Sequence, residues 1–294
     1  MLKRRSFITA SGLAAGIGLA ESGQEPDGEF YKARNGRIQQ SVVHWCFTRE
    51  PNALSVEQLA AGAAPMGVTS VELVGPEHWP TLKKHGLTCA IAGSHGFAKG
   101  FAHVEEHGEC IARLRQSIDA CVAHGVKSVI TFSGFRRGLP HEEAMTNMIA
   151  GLKKIVPFAE DKKVALCLEM LNSRVAEEMK GHPDYWCDHI DYALEICKKI
   201  GSPQMKILFD IYHVQIMDGD VIQHMRECGD FIGHVHTAGN PGRHELDDEQ
   251  EINYPGIMKA LAQMGYKGFV GQEFIPRNPR KLAALNHAVK LCDV

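Results

Sequence analysis

The sequence predicts an α/β chain folded as a single (β/α)8 TIM barrel. Three observations carry that expectation. Short apolar or β-branched runs alternate eight times with segments of helical spacing, within about 250 residues. Glycine follows the helical segments at His124-Gly125, Ile200-Gly201, Cys228-Gly229 and Met264-Gly265, where a left-handed helix cap is wanted, and a strand signal comes soon after each. No glycine-rich dinucleotide fingerprint follows an early strand, which counts against an open doubly wound sheet, the competing way to arrange the same alternation.

Read in order, the chain opens with basic Lys3-Arg4-Arg5 before Ser6-Phe7, then runs small and apolar from Thr9 to Ala20. That pattern is a signal peptide of the twin-arginine kind over residues 1–20, and it predicts a periplasmic or otherwise extracytoplasmic protein. Residues 21–40 are polar and read as a linker, leaving 41–294 for the barrel. Strand signals fall at Val42–Phe47, Ser70–Val74, Thr88–Ala92, Ser128–Phe132, Val164–Glu169, Met205–Asp210, Phe231–His236 and Gly268–Glu273. Helical spacing falls at Ser55–Met66, His78–His85, Glu109–His124, Glu142–Glu160, Tyr185–Ile200, Gly219–Cys228, Tyr254–Met264 and Pro279–Cys292.

Composition bounds the function. With 32 Lys+Arg against 35 Asp+Glu the net charge is −3, the wrong balance for a nucleic-acid partner. Hydrophobic residues make up 44% of the chain, enough for a large core, and no apolar run after the first 20 residues is long enough to span a membrane. The nine cysteines form no CxxC pair and lie mostly in apolar runs, so they read as buried thiols, with one disulfide left open by an oxidising compartment.

Barrel enzymes carry their chemistry where strands end. The fifth predicted strand ends in Glu169, the sixth in Asp210, the seventh in His236 and the eighth in Glu273. A carboxylate at the end of an apolar run such as Val164–Leu168 is costly unless a partner or an ion meets it. Either each of the four caps its own loop, or all four converge on one divalent ion. Three carboxylates and one imidazole favour Mn²⁺, Mg²⁺ or Co²⁺, with Zn²⁺ also compatible, and require no organic cofactor. An ion held by neighbouring hydroxyl and carbonyl oxygens acidifies the C–H between them. Glu169 and Glu273, expected on opposite sides of the mouth, could then serve as catalytic acid and base. Return of the proton to the adjacent carbon is isomerisation; return to the opposite face is epimerisation. His213, three residues after Asp210, either reaches a substrate oxygen or bonds backbone at a helix start. Arg243, in a long charged loop, either clamps a substrate carboxylate or pairs with Glu245 or Asp247. His44 and His95 are weaker substrate-binding candidates pointing to the same mouth. Glu72 reads as a buried structural carboxylate.

From about residue 41 to 277 the chain resembles the hydroxypyruvate isomerase family, within the xylose-isomerase-like barrels that also hold ketose 3-epimerases. The likeness rests on Leu168–Arg174, Phe209–Gly219, Gly233–Glu245, Asn253–Pro255 and Gly265–Glu273. It implies Glu169 and Glu273 as the acid/base pair, Glu169, Asp210, His236 and Glu273 as metal ligands, and His213 and Arg243 at the substrate. His236 stands where the isomerases usually carry glutamine and the epimerases histidine, and Met170 replaces a usual proline. The reaction implied is hydroxypyruvate to tartronate semialdehyde through an enediol. A ketose 3-epimerase or inosose-type dehydratase is the alternative on the same scaffold, and dimers or tetramers are common among such proteins. Two other classes use similar barrels: endonucleases, which need a multi-histidine metal cluster and a basic groove, and non-catalytic sugar-binding barrels, which need no acid/base pair.

Overall fold

A computed structural model describes residues 29–294. The signal expected over residues 1–20 lies outside them. Seven parallel strands form one curled sheet: β1 (Gln39–Val43), β2 (Ser70–Glu72), β3 (Ser128–Thr131), β4 (Ala165–Glu169), β5 (Met205–Asp210), β6 (Ile232–Thr237) and β7 (Phe269–Gln272). Their order is β2-β1-β7-β6-β5-β4-β3, every pairing parallel. The third predicted strand, Thr88–Ala92, fills the gap between β2 and β3 and closes the barrel. Thr88 bridges to Ser70 and Ala92 to Val129. It is not a regular strand, because the Ala90 N–H donates to the Ser70 hydroxyl at 2.8 Å and the Cys89 thiol to the Ile91 carbonyl. Side chains take bonds that a full ladder would have made through backbone.

The outer layer comprises α1 (Val56–Ala63), α2 (Trp79–Lys84), α3 (His107–His124), α4 (His141–Lys162), α5 (Ile190–Ile200), α6 (Ile211–Met217), α7 (Val221–Cys228), α8 (Tyr254–Gln263) and α9 (Lys281–Cys292). Ser55 starts α1 with a capping box in which Gln58 reciprocates. Gly125 and Gly201 take the left-handed cap, at φ 77° and 71°. Gly229 does not: at φ 46°, ψ −124° it leads into a 3-10 turn over Gly229–Phe231. The short α6 begins on Asp210 and is an element that apolar spacing does not reveal. The core follows the strand runs, with Val42, Val43, Leu166, Leu168, Ile207, Phe209, Val235 and Val270 all inaccessible to solvent or within 1% of it.

Two boundaries differ from expectation. The segment read as linker is in part docked: the Tyr31 hydroxyl donates to Asp293 at 2.8 Å, the Tyr31 amide donates to Asn286, and Gln39 and Gln40 already belong to β1. The first strand ends at Val43, and His44–Phe47 turns as a 3-10 helix. All nine cysteines are buried and unpaired, and burial pushes the Cys89 and Cys167 thiols up to about 12. No helix among the described residues is long and apolar enough to cross a membrane.

Candidate metal and active site

Parallel register brings four chain-distant residues to one end of the barrel. Glu169 is the last residue of β4, Asp210 the last of β5, His236 the last but one of β6, and Glu273 follows β7 directly. Asp210 pairs with His236 across the β5–β6 ladder, which fixes their relative height. All four are buried, and one donor atom from each lies within 4.8 Å of the others. Glu169 and Glu273 stand three strands apart with the other two between them, closer than opposite sides of the mouth.

Hydrogen bonding holds Asp210 by one oxygen and Glu273 by both, and leaves Glu169 Oε1 and both His236 ring nitrogens without a partner. Asp210 Oδ1 accepts the Tyr212 and His213 amides at 2.8 and 3.2 Å, capping α6, while Oδ2 is buried without a hydrogen-bond partner. Glu273 accepts from the Trp45 indole at 3.2 Å and from the Arg243 guanidinium at 2.5 Å. His236 Nδ1 lies 3.0 Å from Glu273 Oε2 and 3.6 Å from Glu169 Oε1, yet neither approach is aligned as a hydrogen bond. Orphaned Glu169 Oε1, Asp210 Oδ2 and His236 Nδ1 facing one point, in a set of three carboxylates and an imidazole, fit a hard divalent cation.

Three carboxylates buried within 4.8 Å of one another differ in how firmly each holds a proton. Burial raises Asp210 to about 7 against the opposing pull of Arg243. Burial also raises Glu169, with repulsion from Glu273 opposing the help of His236. At Glu273 burial pushes the same way, but Arg243 and His236 outweigh it and hold the carboxyl well below its usual range. The two glutamates are therefore chemically unequal although both end in the same cluster.

The remaining predicted residues divide. His213 is fully buried; its Nδ1 accepts from the backbone and side-chain nitrogens of Asn172 at 3.1 and 2.7 Å, leaving a proton on Nε2, 3.6 Å from Asp210 Oδ2. It reaches the cluster as a neutral donor, and burial holds its pKa well below normal. Arg243 is not a solvated loop arginine: it lines the cavity, and its Nε is buried without a hydrogen-bond partner. It is 2% exposed, at a left-handed backbone φ of 57°, and bonds Glu273 and the Met179 carbonyl. Its guanidinium lies over Trp45 and Tyr212, 5.2 and 5.7 Å from the ring centroids. Glu245, its expected loop partner, pairs with Arg277 instead.

His44 and His95 are not brought to the cluster. The turn after Val43 directs His44 Nε2 to the Leu54 carbonyl, at 3.0 Å, and presents Trp45 to the mouth in its place. His95 spends both ring nitrogens on its own walls, on Thr131 Oγ1 and the Lys99 carbonyl. Glu72, read as structural, lies 2.8 Å from His234 and 3.4 Å from His236. Burial opposes its charge, but the two imidazoles outweigh burial and bring Glu72 down to about 2.

Beside the cluster opens a cavity of 290 Å³, lined by Glu169, Glu273, Arg243 and His182 together with Phe97 and Phe132. A larger hollow of 490 Å³ lies away from these residues, around Arg226 and Tyr266 at the start of β6, and holds none of the cluster. His182 and Phe97, whose rings are 4.3 Å apart, are absent from the sequence reading. The one signal for His182 is its place in the loop that follows Glu169, on the face where barrel chemistry gathers.

Known proteins of the same fold and of similar sequence share this architecture. A model of the "Xylose isomerase-like TIM barrel" family matches residues 77–291. A human protein named "Putative hydroxypyruvate isomerase" is 40% identical over 120 residues, 41% of each chain. A 2-oxo-tetronate isomerase of Cupriavidus necator is 37% identical over 114 residues, 39% of this chain and 41% of its own. The matched stretches thus span about two fifths of those relatives. The crystal structure of an AP endonuclease, family 2, from Brucella melitensis superposes with TM-score 0.71 at 25% identity, over 84% of this chain and 98% of that one. On the family match over most of its length, the chain belongs to the xylose isomerase-like TIM barrel family.

Proposed function

We propose that the chain is a metal-dependent isomerase that moves a proton between adjacent carbons of a small 2-keto or hydroxy acid, with hydroxypyruvate to tartronate semialdehyde (2-hydroxy-3-oxopropanoate) as the parent reaction. The observation that carries this reading is the buried convergence of Glu169, Asp210, His236 and Glu273 beside a small cavity, with two chemically unequal glutamates flanking the reacting position. The names of the two relatives support the substrate class.

Glu169, Asp210, His236 and Glu273 would hold the ion, which when bound polarises a carbonyl and acidifies the neighbouring C–H. Glu169, made more basic by burial, is the better acceptor of the C3 proton. Glu273, ionised at rest because Arg243 and His236 hold it low, takes over the proton that Glu169 removes, across the less than 4.8 Å between them, and delivers it to C2, so both carboxylates return to their starting state. The balance is one proton from C3 to C2 and the hydroxyl proton from O3 to O2, so no cofactor is consumed. His213 Nε2–H is placed to steady a substrate oxygen. Phe97 and Phe132 give the substrate space an apolar wall.

Epimerisation is the second reading, and one observation favours it. Arg243, the cation among the residues lining the cavity, already bonds Glu273 and the Met179 carbonyl, which leaves less of its guanidinium for a substrate carboxylate and suits an uncharged ketose. Endonuclease chemistry fits less well, since the cluster holds a single histidine and the chain is acidic. The deciding experiment incubates the full chain with Mn²⁺ in D₂O, with hydroxypyruvate, 2-oxo-tetronate and a panel of ketoses, followed by NMR. Deuterium at C2 of a new aldehyde establishes the isomerase, and deuterium at C3 of an inverted ketose moves the reading to the epimerase. No incorporation with any substrate defeats both. Export through the twin-arginine route is part of the same proposal, supported by Arg4-Arg5 and the apolar run after them. Fractionation of cells making the full chain tests it.

A further inference from the structure

Beneath the cluster, in a layer that branched aliphatic side chains ordinarily fill, lies a carboxylate. Glu72 ends β2 and is fully inaccessible, and its oxygens lie 2.8 Å from His234 Nε2 and 3.4 Å from His236 Nε2, ion-pair approaches not aligned as hydrogen bonds that leave all four atoms otherwise unpartnered. Both histidines belong to β6, and β1 and β7 stand between that strand and β2 in the sheet. The reach is possible because one residue on the way has no side chain. Gly271 of β7 lies beside His236 in the ladder, and a Cβ there would stand 1.7 Å from Glu72 Oε1 and 2.9 Å from His236 Cδ2. The His236 ring is thus addressed from two sides: Nε2 faces Glu72, and Nδ1 faces Glu273 and Glu169.

We propose that Glu72 is the positioning residue of the metal centre, accepting the Nε2–H of His236 so that the Nδ1 lone pair is the one aimed at the cluster, and that Gly271 is the gap through which it does so. This rests on reading Glu169, Asp210, His236 and Glu273 as a metal site. A neutral imidazole has one protonated and one free nitrogen, and the bond made by the first decides which nitrogen is left to bind metal. His234, on the second oxygen of Glu72, keeps the carboxylate from swinging away. Charge on that partner also strengthens the imidazole as a ligand.

The test is Mn²⁺ affinity of the full chain, read by the electron paramagnetic resonance of free Mn²⁺, beside ¹⁵N NMR of the histidine rings in the Zn²⁺-loaded protein. Glu72→Gln should weaken Mn²⁺ binding by about 10- to 100-fold with near-UV circular dichroism unchanged. Gly271→Ala, which displaces the carboxylate without removing it, should move affinity the same way. In the wild type the His236 ring should carry its proton on Nε2 and the metal on Nδ1, a readout that needs no variant to fold. Unchanged affinity in Glu72→Gln overturns the inference while leaving the metal site standing, as does metal on Nε2. Two ions per chain, with one lost in Glu72→Gln, overturns it by making Glu72 a ligand. A wild type that takes up no Mn²⁺ removes the metal reading itself.

Discussion

The two arcs of the barrel mouth are built from different chemistry. From β4 round to β7 the strand ends supply Glu169, Asp210, His236 and Glu273, backed by His213 and Arg243, all buried. From β1 through the irregular third strand to β3, the residues lining the cavity include Leu73, Phe97, Ile130 and Phe132, with Trp45 and Ser94 as the polar exceptions. One arc concentrates charge where little water screens it, and the other offers shape. A substrate in this cavity therefore has its reacting carbons on the first arc and its remaining length against the second. Electrostatic catalysis and size selection are separable by position, and substitutions on the two arcs should fail in different ways.

The largest effect belongs to the charged arc. Glu169→Gln and Glu273→Gln each keep the shape and remove an acid or base, so deuterium exchange should fall by about 10²- to 10⁴-fold while the protein stays folded. Exchange that persists in either variant, measured by NMR in D₂O, would make that glutamate a ligand only and erase the division of labour. Arg243→Leu attacks the same arc through its support. It leaves the buried Glu273 with His236 as its cationic neighbour and unstacks Trp45 and Tyr212, so unfolding in urea should show a loss of about 3–5 kcal/mol. A loss below 1 kcal/mol would mean that the guanidinium supports function without supporting the fold.

His182 lines the cavity and extends the contrast to pH. Burial, with Arg243 adding to it, lowers its pKa to about 4, below the ordinary histidine value of about 6.5. A depressed histidine binds its proton more readily in the unfolded chain, so its contribution to stability is whole above about pH 6.5 and is lost as pH falls towards 4. The fall should be at most about 3 kcal/mol. Chemical denaturation at pH 7 and pH 4.5 should show a smaller difference in His182→Leu than in the wild type, and equal differences would remove the histidine from the account.

The charged arc was more legible in the sequence than the apolar one, for a physical reason. A strand buried on both faces is a short apolar run, and an ionisable residue that ends such a run is conspicuous; Glu169, Asp210 and Glu273 were found in that way, and parallel register does the rest. Where the chain leaves the ladder at once, local reading fails. His44 looked like the functional residue of β1, but a 3-10 turn gives that place to Trp45. The partners of Arg243 come from residues 45, 179, 212 and 273, and no local window contains them. The third strand is legible from composition, yet the bonds of its Ala90 amide to the Ser70 hydroxyl of β2 and of its Cys89 thiol to the Ile91 carbonyl break the ladder in a way that apolar spacing does not encode. Glu72 reads as a buried structural carboxylate and is fully buried, but its partners lie across the barrel on β6, outside any local window.

The smallest predicted effect falls on the apolar arc and sharpens the comparison most. Phe97 packs edge-on against Phe132 and Phe135 and lies beside His182, without contact to the four-residue cluster. Phe97→Ala removes shape and leaves every charge in place. For a three-carbon acid held at its reacting end, KM should rise by no more than about 10-fold with kcat nearly unchanged, since uniform binding is what is lost. For a longer ketose the enlarged space should help, so the ratio of kcat/KM between the two substrates should shift by about 10-fold towards the longer one. A fall in kcat equal to that of the glutamate variants would mean that Phe97 acts on the chemical step, most directly by excluding water from the enediol. The two arcs would then be a single catalytic surface, with the aromatic wall setting the medium in which Glu169 and Glu273 exchange the proton.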